Sequence, residues 1–281
     1  MINKNKYTLL CIGLLLASCS SDDNVKKVET TVETVYHLSH IEHSKFYEEY
    51  SEDENFKPEM FFNTSYTFQY DDTFNLQVID IQQTRYHNTN VIDSTSSQFF
   101  YTLDEQGRLE TVAFKEGDRL IDQYTYHYED DLLQTAHYDK LAWDWSFSST
   151  FTYNDKKQCI SNKALDYSGL TVDMKYNELN QIDHLKYNGV NYRLTYDDKR
   201  TPFYNLPFDL LSDLTDAYFA YPYPYKFPNN ITEYKTSNYL STVVYTYNEA
   251  DLPIRVVYYN NGLLGREIIY TYEKQEVITP K

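Results

Sequence analysis

Glycine is scarce, seven in 281 residues, and so are cysteine at three, tryptophan at two and basic side chains at 25 against 42 acids. Each shortage closes off a class of protein. Three cysteines, Cys11, Cys19 and Cys159, cannot build a disulfide framework or a cysteine metal site. A net charge of −17 excludes a nucleic-acid binder, which needs a basic surface to neutralise phosphates. No stretch reaches the roughly 20 apolar residues of a transmembrane helix. The Gly-x-Ser-x-Gly, phosphate-loop, dinucleotide and His-Glu-x-x-His patterns are all missing, and no cofactor is expected. Paired carboxylates for glycoside hydrolysis can be drawn from 42 acids almost anywhere, so they point to nothing. Candidates such as Asp71, Asp130, Asp155 and Asp197 occupy repeated turn positions. What the chain does have is 31 tyrosines and 15 phenylalanines, enough aromatic surface for a sizeable core and far more than a disordered chain carries.

The first residues, MINKNKYTLLCIGLLLASC, place Lys4 and Lys6 before a short apolar run that ends in small residues, the layout of a secretory signal. Leu16-Ala17-Ser18-Cys19 resembles a bacterial lipobox, which implies cleavage before Cys19, lipidation of its thiol and attachment to a membrane through that anchor. Removal of residues 1–18 takes two lysines and no acid, moving the net charge to −19. The body should then project into water, held by its acyl chains. Ser20-Ser21-Asp22-Asp23 resembles the export signal that sends Bacteroidota lipoproteins to the outer face of the outer membrane; a plain tether over residues 19–30, facing the periplasm, has the same composition.

Beyond the tether one unit recurs: an apolar residue, any residue, then Tyr followed by Asp, Asn or Glu, a polar turn and a second β-prone run. Copies include YTFQYDDTFNLQVI from Tyr66, YTYHYEDDLLQTAHY from Tyr124, FTYNDKKQCI from Phe151 and VYTYNEADLPIRVVYY from Val244. The anchors Tyr70, Leu103, Tyr128, Tyr153, Tyr176, Tyr196, Tyr247 and Tyr272 stand 20 to 33 residues apart except for one gap of 51. From Leu141 to Tyr153 apolar and polar positions alternate, with Trp143, Trp145, Phe147, Phe151 and Tyr153 on one side, the period of a half-buried strand. Asp and Asn start turns through side-chain bonds to the backbone, and Asn-Gly at 188–189 and 261–262 marks hairpins. The expectation is an all-β antiparallel meander over residues 31–281 whose aromatic face must be covered, curled into a partial barrel or two-layered shell. An outer-membrane barrel with that face towards lipid is the alternative, disfavoured because no apolar band flanked by aromatic girdles is visible.

The unit resembles the YD-repeat, RHS-like family, with Asp104-Glu105-Gln106-Gly107-Arg108-Leu109 as the closest copy and residues 64 to 273 covered. The resemblance implies a β-ribbon spiralling into a shell. Large members of that family enclose a toxin or act in contact-dependent adhesion; this chain is too short to enclose one and looks like the small YD-repeat lipoproteins of Bacteroidota.

Between Tyr196 and Tyr247 the repeat is broken by an insertion at about 202–230 that holds five of the eight prolines. Leucines at helical spacing predict one short helix over about 208–218. The insertion reads as a plug over the aromatic face in preference to a lid over a ligand site. The acidic run Glu48 to Glu54 reads as a solvated face. His37, His40 and His43 stand three apart, but on a strand His37 and His40 face opposite ways, and no metal site is expected. Cys159 reads as a buried small hydrophobe. Trp143 and Trp145 could form a sugar-stacking platform, although their shared parity with Tyr153 favours the core. Function is read as a non-catalytic, lipid-anchored module that binds a protein or glycan partner. The competing readings are a glycan-binding accessory protein and a hydrolase with its site under residues 203–228.

Overall fold

The computed structural model describes residues 30–46, 60–87, 90–141, 144–165, 171–206 and 227–280. Sixteen strands occupy them, in order β1 (Thr30–Phe46), β2 (Met60–Tyr70), β3 (Leu76–His87), β4 (Asn90–Leu103), β5 (Leu109–Glu116), β6 (Arg119–Glu129), β7 (Leu132–Lys140), β8 (Trp145–Tyr153), β9 (Cys159–Ala164), β10 (Thr171–Tyr176), β11 (Ile182–Tyr187), β12 (Val190–Tyr196), β13 (Ile231–Lys235), β14 (Leu240–Tyr247), β15 (Pro253–Asn260) and β16 (Leu263–Pro280). Sequence neighbours pair antiparallel throughout, and β1 beside β16 closes the sheet into a barrel. Ser39 Oγ donates to the Thr271 carbonyl across that closing seam at 3.1 Å.

The closure corrects two expectations. The sheet is neither a partial barrel nor a two-layered shell, and it is not the open spiralling ribbon that the YD-repeat resemblance implied. A meander leaves two unpaired edges, and pairing them removes both. No α-helix occurs among the described residues; the helix expected over 208–218 lies outside them. Strand β8 is also shorter than the alternation from Leu141 suggested. It starts at Trp145, because Asp144 takes a left-handed φ of 50° that ends the hairpin from β7.

The described residues divide into two compact units, one within 38–272 and the other of 30–37 with 273–280. In the smaller one His37 Nε2 lies 3.2 Å from Gln275 Oε1 and Lys274 sits over the Tyr36 ring. Burial lowers the His37 pKa against the pull of Gln275 and Glu273. In the larger unit one face of most strands is buried and the other exposed, with both parities buried at Leu38 and Ile41 of β1 and at Val256, Val257 and Tyr258 of β15. Inward go Tyr66, Phe68, Ile79, Tyr101, Val112, Tyr126, Leu185, Leu194, Tyr234 and Val256, all in one buried cluster. Outward go Thr67 and Gln69 on β2, Thr125 and His127 on β6, Thr150 and Thr152 on β8, Asp173 and Lys175 on β10.

At one end of the barrel a single turn design repeats. Asp71, Asp104, Asn154, Asn177 and Asn248 each follow an up-going strand. The side-chain Oδ1 of each accepts the backbone N–H groups two and four residues on, at 2.8–3.0 Å. The fourth residue of each turn is left-handed: Phe74, Gly107, Lys157, Asn180 and Asp251, with φ between 59° and 74°. Only one of these five is glycine, so the Asx bonds hold a backbone that glycine usually supplies. The 202–230 insertion is spliced into the same design. Asp197 Oδ1 accepts from Lys199 N at 2.9 Å and then from Asn230 N at 3.2 Å, with Asn230 standing where the fifth turn residue would.

The anchor tyrosine closes each unit. The ladder slips by one residue just before Tyr70, Leu103, Tyr128, Tyr153, Tyr176, Tyr196 and Tyr247, a bulge that re-aims the side chain. Hydroxyls of Tyr70, Tyr153, Tyr176, Tyr196, Tyr245 and Tyr272 then donate at 2.6–2.8 Å to backbone carbonyls of the preceding strand: those of Leu38, Leu133, Cys159, Ile182, Ile231 and Pro253. Neighbouring turns are also tied, by Arg108 to Asp131 and Gln158 to Asn180. The opposite end holds short hairpins, among them Asn188-Gly189 and Asn261-Gly262 with φ positive at both residues, as their sequence predicted.

Candidate functional site

The short-hairpin end holds a group unlike the rest of the interior. Inward parity on β6 runs Asp122, Tyr124, Tyr126, Tyr128, placing one acid in a row of aromatics. Asp122 is 7% exposed. Phe114 of β5 is its register partner on one side and Lys140 of β7 on the other. Burial raises the Asp122 pKa, partly offset by the Tyr138 hydroxyl and by Lys140, and Glu116 pushes it further up. Oδ1 of Asp122 has no hydrogen-bond partner among the described residues. A buried acceptor left without a donor costs about 1–3 kcal/mol.

Around this carboxyl the rings form a continuous shelf. Tyr138 lies 4.5 Å from Tyr124, 5.1 Å from Phe147 and 5.8 Å from Trp145, centroid to centroid. Trp145 and Phe147 are 5.3 Å apart. Exposure rises along the shelf, from 6% at Tyr138 to half-buried Phe147 and 40% at Trp145. Trp145 thus has the inward parity expected of it but stands at the rim, where β8 begins. Trp143, its expected companion, lies outside the described residues, as do Cys19 and the acidic run at 48–54. Sequence reasoning passed over Asp122, Tyr124 and Tyr138. The signal was present: an acid in phase with three tyrosines on β6.

The other candidates have structural employment. Asp71 and Asp197 hold turns, and Asp130, with φ 50°, forms a tight turn with Asp131. Tyr247 donates to Asp197, and its pKa is raised by burial and by that carboxylate. His40 faces outward, bonded to Glu42 at 2.9 Å and Thr67 at 3.3 Å. Cys159 is buried, its thiol pushed up to about 12 by burial, while its carbonyl receives Tyr176. The two described shoulders of the insertion enter the core through Phe203, Leu206 and Phe227. Phe203 meets Tyr270 edge-on at 6.4 Å, and Phe227 stacks on Tyr196 at 6.2 Å.

No family model matches the chain, and no curated protein matches it in sequence. Among solved structures, a porin-like protein from Bacteroides uniformis is similar, with a TM-score of 0.57 at 16% identity over 84% of this chain and 98% of that one. The TcdB2-TccC3-TEV structure aligns at a TM-score of 0.27 and 12% identity over 72% of this chain and 12% of that one. The fold is therefore a porin-like closed barrel, and the YD-repeat assignment suggested by the sequence is set aside. The Tyr-Asp unit is a local hairpin device, and the closed ring of strands is what the chain builds from it.

Proposed function

We propose that the chain is a lipid-anchored protein of the outer membrane, exposed on its outer face, whose barrel stands in water and serves as a non-catalytic binding module. One observation carries this reading: the wall is inside-out relative to a membrane-spanning barrel. Spanning barrels turn an apolar band to lipid and keep a polar lumen. Here Ser, Thr, Gln, His, Asp and Lys take most outward positions, with Val244, Ile254 and Ile269 as scattered apolar exceptions on β14 to β16, and most aromatics point inward into one buried cluster. A ring of sixteen strands can enclose a water channel, but this one is packed with its own side chains, including the shoulders of the insertion. Attachment would then fall to Cys19, and the porin-like likeness supports the fold and not conduction.

The glycan-binding reading is favoured over the hydrolase reading by the aromatic shelf, and because Asp197, at the start of the insertion, is taken up by its turn. Two measurements test the main proposal. Metabolic labelling with an alkyne fatty acid should tag the wild-type protein and leave Cys19→Ala untagged. Protease added to intact cells should remove it. Stepwise conductance in a planar bilayer would overturn the reading of a filled, water-standing barrel.

A further inference from the structure

We propose that the shelf at the short-hairpin end is a saccharide subsite, in which Asp122, held by Tyr138, accepts a ligand hydroxyl and Trp145 and Phe147 carry the apolar face of a sugar ring. The inference rests on the reading of the barrel as a binding module and names the ligand class of that module.

The carboxyl is more than nine-tenths buried, faces the barrel interior, and has one oxygen without a donor among the described residues. Of the other acids picked out in the sequence, Asp71 and Asp197 are consumed by their turns. A lone acceptor of this kind is a standing cost to the fold, and a ligand hydroxyl would relieve it. The rings beside it supply what a sugar needs next, edge-on and tilted rings within 4.5–5.8 Å of one another that reach solvent through Trp145. An aromatic box with a carboxylate can also hold an organic cation. Lys140 argues against that here, since it stands opposite Asp122 in the ladder and acts on its charge; a second cation would meet it. A neutral polyol meets no such repulsion and can use the acceptor and the rings together.

The test is isothermal titration of the purified full chain with cellohexaose, xylohexaose, mannohexaose and maltohexaose, and with tetramethylammonium as the cation probe. At least one oligosaccharide should bind with Kd below about 1 mM. Trp145→Ala should weaken it about tenfold, as truncation of an aromatic anchor does. Asp122→Asn keeps the side-chain volume while changing the donor and acceptor pattern, and should weaken binding by about as much. Thermal melts report whether each variant is folded. If Asp122→Asn is not, the rim variants Trp145→Ala and Phe147→Leu decide the matter. Binding of no sugar, sugar binding that survives every folded variant, or binding of tetramethylammonium alone overturns the proposal. Bilayer conductance addresses the barrel reading separately: sugars that fail on a non-conducting protein remove this inference and leave that reading standing.

Discussion

The two ends of the barrel solve opposite problems with the same residue types. At the Tyr-Asp end the Asp and Asn oxygens that start the turns take backbone N–H groups, six tyrosine hydroxyls give to backbone carbonyls, and adjacent turns are tied to each other. At the short-hairpin end an Asp is buried beside tyrosines as well, yet one of its oxygens has no protein donor among the described residues and the rings grade outward to an exposed tryptophan. A polar group that closes the backbone lattice belongs to the fold. One held in apolar surroundings with its acceptor unspent is available for something else. The comparison therefore ties architecture to one end and leaves the other as the place of the proposed recognition.

The largest effects should appear where the lattice is cut. Tyr176→Phe combined with Tyr196→Phe deletes two hydroxyl-to-carbonyl bonds of 2.7 and 2.6 Å without changing ring burial. Each net hydrogen bond is worth about 0.5–1.5 kcal/mol, rising towards 3 where a buried partner is orphaned, so the double variant should lose about 1–6 kcal/mol in urea melts. Phe147→Leu at the other end trims a half-buried ring at the rim and should cost less, about 1 kcal/mol. Equal losses from the two changes would erase the distinction between the ends.

That division also explains what could be read from the chain alone. The turn end was legible because its chemistry is local: Asp71 or Asn177 reaches only two and four residues forward, and the anchor tyrosine is the residue before it. Strand phase was legible for the same reason. Closure was not, since the unit specifies a hairpin and says nothing about how many follow or whether the first strand meets the last. The resemblance to an open YD ribbon failed at that point, and one local device proved compatible with a closed wall. Trp145 was placed on the right face but not at the rim, because the alternation from Leu141 hides the turn at Asp144. Asp122 was visible only as a break in an aromatic row, and its meaning depends on Phe114, Lys140 and Tyr138 from two other strands.

Acid titration should separate the ends by sign. Asp71 is held below its ordinary 3.8 by hydrogen bonds from Asn75 and Thr73; Asp104 is lowered too, burial notwithstanding, by Arg108 and Gln106. Groups with depressed values stabilise the fold above the unfolded pKa and lose that contribution as pH falls through the folded one, so the turn end should weaken below about pH 4. Asp122 is raised, chiefly by burial. Its folded form takes up a proton first, so its cost is absent below 3.8 and grows as pH rises through the folded value. Acidifying from neutral pH should therefore relieve the hairpin end before it weakens the turn end. In melts across pH 3–7, Asp122→Asn should remove the early gain and keep the later loss. Asp104→Asn should shrink the later loss and keep the turn, because Asn154, Asn177 and Asn248 already serve in that place. A rise in stability towards acid that persists in Asp122→Asn would show that the buried carboxyl is not its source.

The smallest effect concerns the scarcity of glycine. Lys157 and Gly107 hold the same fourth turn position with φ of 60° and 74°. A Cβ added at Gly107 meets nothing within 4 Å, so any penalty there is backbone alone. The left-handed region costs an ordinary residue about 1–2 kcal/mol, partly returned because glycine has more freedom to lose on folding. Gly107→Ala should therefore destabilise by about 1 kcal/mol, and Lys157→Gly should stabilise by about as much. Equal and opposite shifts would mean that the Asx bonds alone set the turn and that four of the five units carry strain for want of glycine. If Lys157→Gly gains nothing, the Asn154 oxygen that accepts from Lys156 and Gln158 already absorbs the cost, and a tyrosine-rich chain with seven glycines loses nothing by having so few.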